Sequence, residues 1–298
     1  MQKTAVGIIG LGNMGRGIAN NYVRAGVPLV VWDVVRAAVK PFEKLKNVEA
    51  AKPDEMAGIC SIILFAVPGS AEIEAALKGK GGIIANARRG LVLYDLTTSD
   101  PAATQKLARM AAKKDIPYLD AGMSGGATGA EAGTLTLMIG GDRRGFNRTR
   151  KYLNPFVERT FYLGKSGTGH TLKLIHNMVC HTIFLATCEG GQMAERAGIK
   201  LEDMIEVFNV SNARSYASES RFPLHILSKK WDCNSRIYNL HKDLAMAVSL
   251  AEALGAEVSL GEGTLAFLNK AAARGMIDKD FSLLYRDFEK IRKGGRKN

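Results

Sequence analysis

Cysteine and long apolar runs are both scarce in this sequence. The four cysteines, Cys60, Cys180, Cys188 and Cys233, lack the spacing of a disulfide framework or a zinc site. We therefore expect reduced thiols and a reducing compartment, the cytoplasm. No stretch approaches the roughly 20 apolar residues of a membrane-spanning helix, and the first residues lack the layout of a secretion signal. The sequence predicts neither a membrane partner nor export.

Acidic residues are few relative to basic ones, 29 against 41, which gives a net charge of +12. Such an excess attracts anionic ligands or nucleic acid. The basic residues are spread along the chain except in the tail 292–297, and a short basic tail is typical of a solvated end. We therefore expect no nucleic-acid partner. The 298 residues suffice for two domains.

Short, continuously apolar runs alternate with helical patterns in the first half of the chain. Such strands are typical of a sheet covered on both faces, and their alternation with helices predicts a doubly wound, parallel α/β sheet of the Rossmann type. The predicted strands are 5–9, 28–32, 61–66, 91–96 and 116–119, and the predicted helices lie near 14–25, 35–45, 70–78 and 101–114.

The second half is predicted to be helical. A Gly-rich segment, 122–145, interrupts the alternation, and a strand at 134–139 and a helix at 145–153 are predicted around its end. Residues 168–197 form one long helix, apolar almost all round, which we expect to be buried between domains or subunits. Only helices follow, near 201–209, 240–254, 262–274 and 281–292. The predicted domains are 1–164, binding a dinucleotide, and 165–298, an all-helical domain for substrate binding and dimerisation.

A glycine motif follows the first strand and opens the first helix. It consists of Gly10, Leu11, Gly12, Asn13, Met14 and Gly15. The first glycine permits a tight turn, the second admits a pyrophosphate, and the third allows close packing of helix on strand. The helix N-terminus then offers unpaired N–H groups to phosphates. The motif predicts a dinucleotide site.

The residues that end the second strand predict the preferred cofactor. Asp33 stands where a carboxylate can accept hydrogen bonds from both adenosine ribose hydroxyls, which favours NAD. A 2′-phosphate would meet a like charge there, which disfavours NADP. Arg36, three residues later, is the competing candidate, because it could neutralise that phosphate. We predict NAD as the preferred cofactor, with NADP as the alternative.

These residues, together with three later motifs, resemble the β-hydroxyacid dehydrogenase family, relatives of 3-hydroxyisobutyrate and 6-phosphogluconate dehydrogenases. The segment 120–130 is similar to the family's substrate-binding segment, 167–177 to its catalytic segment, and Lys242-Asp243-Leu244 to its C-terminal signature. Two departures stand out: Gly122 replaces the family's usual proline, and His176 replaces the first of its usual two asparagines. The first departure predicts a looser substrate loop, and the second predicts altered packing behind the site.

The long helix carries the proposed catalytic residues. Lys173 and Asn177 are four residues apart, so they share one face and can converge on one ligand. Oxidation of an alcohol needs a group that takes the hydroxyl proton, and Lys173 is the candidate because an apolar surrounding disfavours its charged form. Asn177 is the second candidate for this site.

Other residues are predicted to hold the substrate and the cofactor. Ser124, Gly125 and Gly126 offer a hydroxyl and backbone N–H groups to a small carboxylic acid. The resemblance implies that Thr98 contacts the nicotinamide ribose, that Val67 and Pro68 run beside the cofactor, and that Lys242 approaches the nicotinamide. His170 is predicted at the rim of the site. No histidine pair has i, i+4 spacing, so no metal is expected.

The predicted function is the NAD(P)-dependent interconversion of a small β-hydroxy acid and its semialdehyde, at a site between the two domains. One alternative is a reductase of another small carbonyl or imine, although imine reductases of this superfamily usually lack the lysine that stands here as Lys173. The other alternative is a cofactor-binding scaffold without catalysis. The resemblance also implies a homodimer or homotetramer, which would bury the long helix.

Overall fold

The computed structural model describes residues 5–293, so residues 294–297 of the basic tail lie outside the described part. The chain divides into two compact units, Met1–Lys173 and Leu174–Asn298. The division falls nine residues beyond the boundary predicted from the sequence, and it lies inside the long helix rather than before it. Within residues 5–293, no helix combines the length and the apolarity needed to span a membrane.

The first unit is built on an eight-stranded sheet in the order β3-β2-β1-β4-β5-β6-β7-β8. All neighbouring strands are parallel except β6 and β7, which are antiparallel. The strands are β1 Ala5–Ile9, β2 Leu29–Trp32, β3 Val48–Ala50, β4 Cys60–Phe65, β5 Val92–Asp95, β6 Tyr118–Ser124, β7 Leu135–Gly141 and β8 Val157–Gly164. The predicted α/β fold with a helical C-terminal part is therefore confirmed, with one antiparallel pair added.

Helices cover both faces of this sheet. Two apolar clusters, one on each face, fill the space between sheet and helices, as the continuously apolar strands predicted. The helices of this unit are α1 Asn13–Arg24, α2 Arg36–Val39, α3 Pro53–Ile59, α4 Ser70–Leu77, α5 Ile83–Asn86, α6 Pro101–Ala112, α7 Gly126–Ala132 and α8 Arg143–Thr149, with a short 3₁₀-helix at Arg150–Leu153.

The second unit is all-helical among its described residues. A third apolar cluster, with Phe184, Phe222 and Phe281 in ring contact, forms its core. Helix α9, Thr168–Arg196, begins in the first unit and continues into the second. The remaining helices are α10 Leu201–Asn209, a π-helix at Ala217–Leu227, α11 Ile237–Leu254, α12 Ser259–Ala273, α13 Leu283–Arg286 and α14 Phe288–Arg292.

Several elements differ from the prediction. Strands β3 and β8 were not predicted, because β3 has only three residues and β8 is an edge strand whose residues 158–161 are exposed. The Gly-rich segment is not a loop, since β6 extends to Ser124 and α7 follows directly. The predicted helix 35–45 is correct only for Arg36–Val39.

In the single chain, one face of α9 is exposed, so the predicted burial of this helix between domains or subunits stays a prediction for that face. Leu172, Ile175, Val179 and Ile183 are 36%, 43%, 48% and 39% exposed. They recur at intervals of three and four residues, so they lie on one side of the helix. We call these four residues the α9 stripe.

Candidate active site

The glycine motif forms the turn between β1 and α1, as predicted. Gly10 has φ of 96°, a conformation that favours glycine. A Cβ on Gly12 would meet nothing within 4 Å, so the backbone there is open to a ligand. A Cβ on Gly15 would collide with the carbonyl oxygen of Gly10, which explains why only glycine fits. The turn therefore exposes the N-terminus of α1 toward open space.

A cavity of about 770 Å³ lies over this turn, inside the first unit. Its lining contains most of the predicted cofactor residues, so the groups present fit a dinucleotide: an open glycine turn, a helix N-terminus and a carboxylate. The predicted residues in the lining are Gly10, Gly12, Asn13, Met14, Asp33, Val67 and Pro68.

The carboxylate of Asp33 is held by backbone N–H groups from the glycine turn and from the residues that follow β2. Its Oδ2 accepts a hydrogen bond from the backbone N–H of Leu11 at 2.6 Å, and its Oδ1 accepts one from Val35 at 2.7 Å. Arg36, in contrast, is ion-paired with Glu43 and does not belong to the lining. The carboxylate is thus fixed at the cavity, while the guanidinium has its own partner.

A buried polar network lies at the carboxyl end of β5. Asp95 is fully buried and accepts hydrogen bonds from Thr97 Oγ1 at 2.6 Å and from the Tyr118 hydroxyl at 2.8 Å. Burial, followed by the charge of Asp95, raises the pKa of Tyr118 well above its usual value. Thr97 also contacts Ser99 at 2.5 Å. Thr97 therefore belongs to this buried network, whereas Thr98 beside it is half-buried.

A second buried aspartate caps the start of α9. Asp120 Oδ1 accepts from the N–H of Gly167, and Oδ2 accepts from the N–H groups of Gly169 and His170, at 2.8 to 3.1 Å. The His170 side chain is fully buried, and its Nδ1 lies 2.7 Å from Thr104 Oγ1. The prediction that His170 lies at the rim of the site is therefore wrong. It joins the start of α9 to α6 instead.

Lys173 is buried in the first unit, as its apolar neighbours predicted, with 9% of its surface exposed. Its stem passes close to Gly122 of β6: a Cβ on Gly122 would lie 2.6 Å from Lys173 Cβ. Gly122 pairs with Met138 inside the sheet, so the substitution of the family's proline does not loosen a loop. It makes room for the lysine.

The predicted substrate residues follow directly on β6. Ser124 is the last residue of that strand, and Gly125 and Gly126 have φ of 126° and 62°, in the region of backbone conformation that favours glycine. Asn177 and Lys242 lie in the second unit. Asn177 Nδ2 donates to Asp243 Oδ2 at 2.7 Å, and Lys242 Nζ is 3.4 Å from Asp243 Oδ1.

Sequence reasoning missed the buried hydrogen-bonding roles of Asp95 and Asp120 in the first unit and of Asp243 in the second. All three are buried charges, yet in the sequence each is one acidic residue among others. The signal that could have identified Asp120 and Asp243 is their place in the segments that carry the family resemblance. Among residues 5–293, no cluster of three or more metal-ligating side chains is present.

Two family models match the chain, one to each half. The first describes the NAD-binding domain of 6-phosphogluconate dehydrogenase and matches residues 5–164. The second describes the NAD-binding region of NADP-dependent 3-hydroxyisobutyrate dehydrogenase and matches residues 167–288. Together they cover nearly the whole described chain.

Individual relatives agree with these models. A probable mitochondrial 3-hydroxyisobutyrate dehydrogenase of Dictyostelium discoideum is 33% identical, over 94% of this chain and 89% of the relative. The 2-(hydroxymethyl)glutarate dehydrogenase of Eubacterium barkeri is 28% identical, over 98% and 97%. Among solved structures, the 3-hydroxyisobutyrate dehydrogenase of Mycobacterium tuberculosis with L-serine superposes with a TM-score of 0.85 at 25% identity, over 96% of this chain and 99% of the other.

Proposed function

The chain belongs to the β-hydroxyacid dehydrogenase family of pyridine-nucleotide-dependent oxidoreductases, and we propose that it interconverts a small β-hydroxy acid and its semialdehyde. Lys173 is the general acid and base of this reaction. The observation that supports the proposal most is the burial of Lys173, whose stem fits the space that Gly122 leaves open. Bound NAD or NADP supplies the acceptor for the hydride.

The chain's own residues handle the proton and the acid group. During oxidation, Lys173 Nζ takes the proton of the substrate hydroxyl as the C–H bond breaks, and it returns the proton during reduction. Asn177 follows one turn later on α9 and donates a hydrogen bond to the carboxylate of the substrate, together with the groups on β6 and α7 named next. Ser124 and the backbone N–H groups of Gly125 and Gly126 bind the carboxylate.

NAD is the proposed cofactor, in preference to NADP. Asp33 places a carboxylate in the cavity lining, where a 2′-phosphate would bring like charges together. The ion pair with Glu43 supports this preference, because it keeps the guanidinium of Arg36 occupied. Thr98 and Lys242 are proposed to contact the nicotinamide half of the cofactor.

A homodimer or homotetramer is the proposed assembly. The α9 stripe presents four large apolar side chains in a row on the single chain. Apolar area of this kind is stabilised by burial against a second apolar surface, and a twofold axis would bring two identical stripes together. Because none of the four cysteines forms a disulfide, we also propose a reducing compartment, the cytoplasm.

A substrate screen tests the proposed function. Small β-hydroxy acids with NAD or NADP, and the corresponding semialdehydes with the reduced cofactors, are followed by the absorbance of the reduced nicotinamide. We expect turnover of at least one β-hydroxy acid. Turnover of only imines or of carbonyls without an acid group would support the alternative reductase instead, and binding without any turnover would support a non-catalytic scaffold.

A further inference from the structure

The amide of Asn177 is held from two sides within the second unit. Its Nδ2 donates to Asp243 Oδ2 over 2.7 Å, and its Oδ1 lies 3.0 Å from Nδ1 of the neighbouring His176. Asn177 and Asp243 are both 7% exposed. The amide therefore cannot rotate without breaking one buried and one partly buried hydrogen bond.

The chemistry of these partners determines which way the amide points. Lys242 Nζ, 3.4 Å from Asp243 Oδ1, favours the ionised carboxylate, which only accepts hydrogen bonds. The amide atom facing Asp243 must then be the NH₂ group, and the atom facing His176 must be the carbonyl oxygen. A carbonyl oxygen also only accepts, so His176 must carry a hydrogen on Nδ1.

We infer that His176 and Asp243 are positioning residues that lock Asn177 as a hydrogen-bond donor to the carboxylate of the substrate. The inference rests on the proposed function, because it takes the ligand to be a small hydroxy acid. The NH₂ group of Asn177 has two hydrogens, and Asp243 receives one of them. The other donates to the substrate.

This lock gives the site a chemical preference. A carboxylate presents only acceptors and matches the N–H of Asn177, whereas an amine at the same point presents donors and leaves both groups unpaired. An amide that could rotate would accept either ligand. His176 is the departure from the family's usual asparagine, and both side chains can present an N–H donor to Asn177 Oδ1.

Three substitutions at His176 distinguish the effect of its N–H donor from the effect of the imidazole ring as a whole. His176→Asn keeps an N–H near the position of Nδ1, His176→Leu removes it, and His176→Asp replaces it with an acceptor that repels Asn177 Oδ1. We expect KM for the β-hydroxy acid to stay within about threefold for His176→Asn, to rise about tenfold for His176→Leu, and to rise further for His176→Asp. The dissociation constant of the cofactor and, because Lys173 is untouched, kcat should change far less.

His241→Asn is the matched control. His241 is on α11, where its Nε2 lies 2.6 Å from Asn269 Oδ1 in an exposed contact. We expect wild-type KM for this variant. Equal KM values for His176→Leu and the wild type would overturn the lock, as would equal values for His176→Asp and His176→Asn.

The tautomer of His176 gives a test that does not depend on activity. Nitrogen NMR of protein labelled with ¹⁵N-histidine distinguishes a protonated from an unprotonated ring nitrogen, and the His176 signals are identified by their loss in His176→Asn. We expect a proton on Nδ1, and a neutral ring with its proton on Nε2 would overturn the inference. Failure of the substrate screen would refute the proposed function but leave this measurement valid.

Discussion

Gly122 governs how closely the stem of Lys173 approaches β6. Gly122→Ala would place a methyl group 2.6 Å from Lys173 Cβ and 3.1 Å from its Cγ, on a strand that pairing with Met138 holds in place. We expect the lysine to move, kcat/KM to fall at least tenfold, and the protein to lose about 1–3 kcal/mol of stability, as overpacked cores do. Steady-state kinetics and urea unfolding measure the two effects.

Gly58→Ala is the control for this substitution. Gly58 lies on α3, and the nearest atom to its added Cβ would be 4.0 Å away. Alanine in a helix should leave kcat/KM unchanged and leave stability equal or slightly higher. A wild-type kcat/KM for Gly122→Ala would show that the missing Cβ is irrelevant to the position of Lys173.

Asp33 is the residue that we expect to select the cofactor. Wild-type protein should have a kcat/KM at least tenfold higher with NAD than with NADP, since the carboxylate repels a 2′-phosphate. Asp33→Asn should lower the ratio of kcat/KM with NAD to kcat/KM with NADP, because it removes the charge that repels the 2′-phosphate. Arg36→Ala, which removes a residue paired with Glu43, should leave NADP use unchanged. A wild-type kcat/KM with NADP that equals or exceeds the value with NAD would contradict selection by Asp33 and would indicate that Arg36 neutralises the 2′-phosphate.

At the residue scale, the sequence predicted residues of local motifs and missed residues whose partners lie far away in the chain. The glycine turn and the place of Asp33 at the cavity could be predicted because their spacing is local. The hydrogen bonds of Asp120 and Asp243 could not be predicted from local spacing, because their partners are 47 to 66 positions away in the sequence. Only the folded chain brings such pairs together.

The start of α9 is an element whose stability depends on one side chain from a different element. Asp120 of β6 accepts hydrogen bonds from three backbone N–H groups of the first turn, so Asp120→Ala would leave three buried donors unpaired. We expect a loss of about 3 kcal/mol or more in the free energy of unfolding, measured by urea denaturation.

Asp142→Ala is the matched control for this cap. Asp142 begins α8 and accepts from one backbone N–H, that of Gly145. We expect a loss of about 1 kcal/mol there. Similar losses for the two variants would contradict the account in which Asp120 supports α9 through three bonds.

Elements with a strong apolar pattern could be predicted from the sequence, and elements without one could not. Strands β1, β4 and β5 are predominantly apolar and were predicted almost to the residue. The edge strand β8 has four consecutive exposed residues, and the π-helix at Ala217–Leu227 contains Pro223, which argues against any helix there. Their formation depends on tertiary contacts rather than on local pattern.

At the scale of the whole molecule, the α9 stripe is expected to determine the oligomeric state. We expect light scattering to show a dimer or tetramer of the 32.2 kDa chain at micromolar concentration. Val179→Glu, which places a charge in the middle of the stripe, should shift the protein toward the monomer. Val207→Glu, at a 60% exposed valine on α10, is the control and should leave the mass unchanged. A monomeric wild type would refute the proposed assembly.

The most direct test of the account is Lys173→Ala, measured both as turnover and as cofactor affinity. The cofactor cavity is lined by other residues, so the dissociation constant of NAD should stay within about threefold of the wild type. Turnover of the best β-hydroxy acid should fall about 10²- to 10⁴-fold, the usual contribution of general acid–base catalysis. A variant that retains more than about a tenth of the wild-type rate would contradict the role of Lys173 in moving the proton.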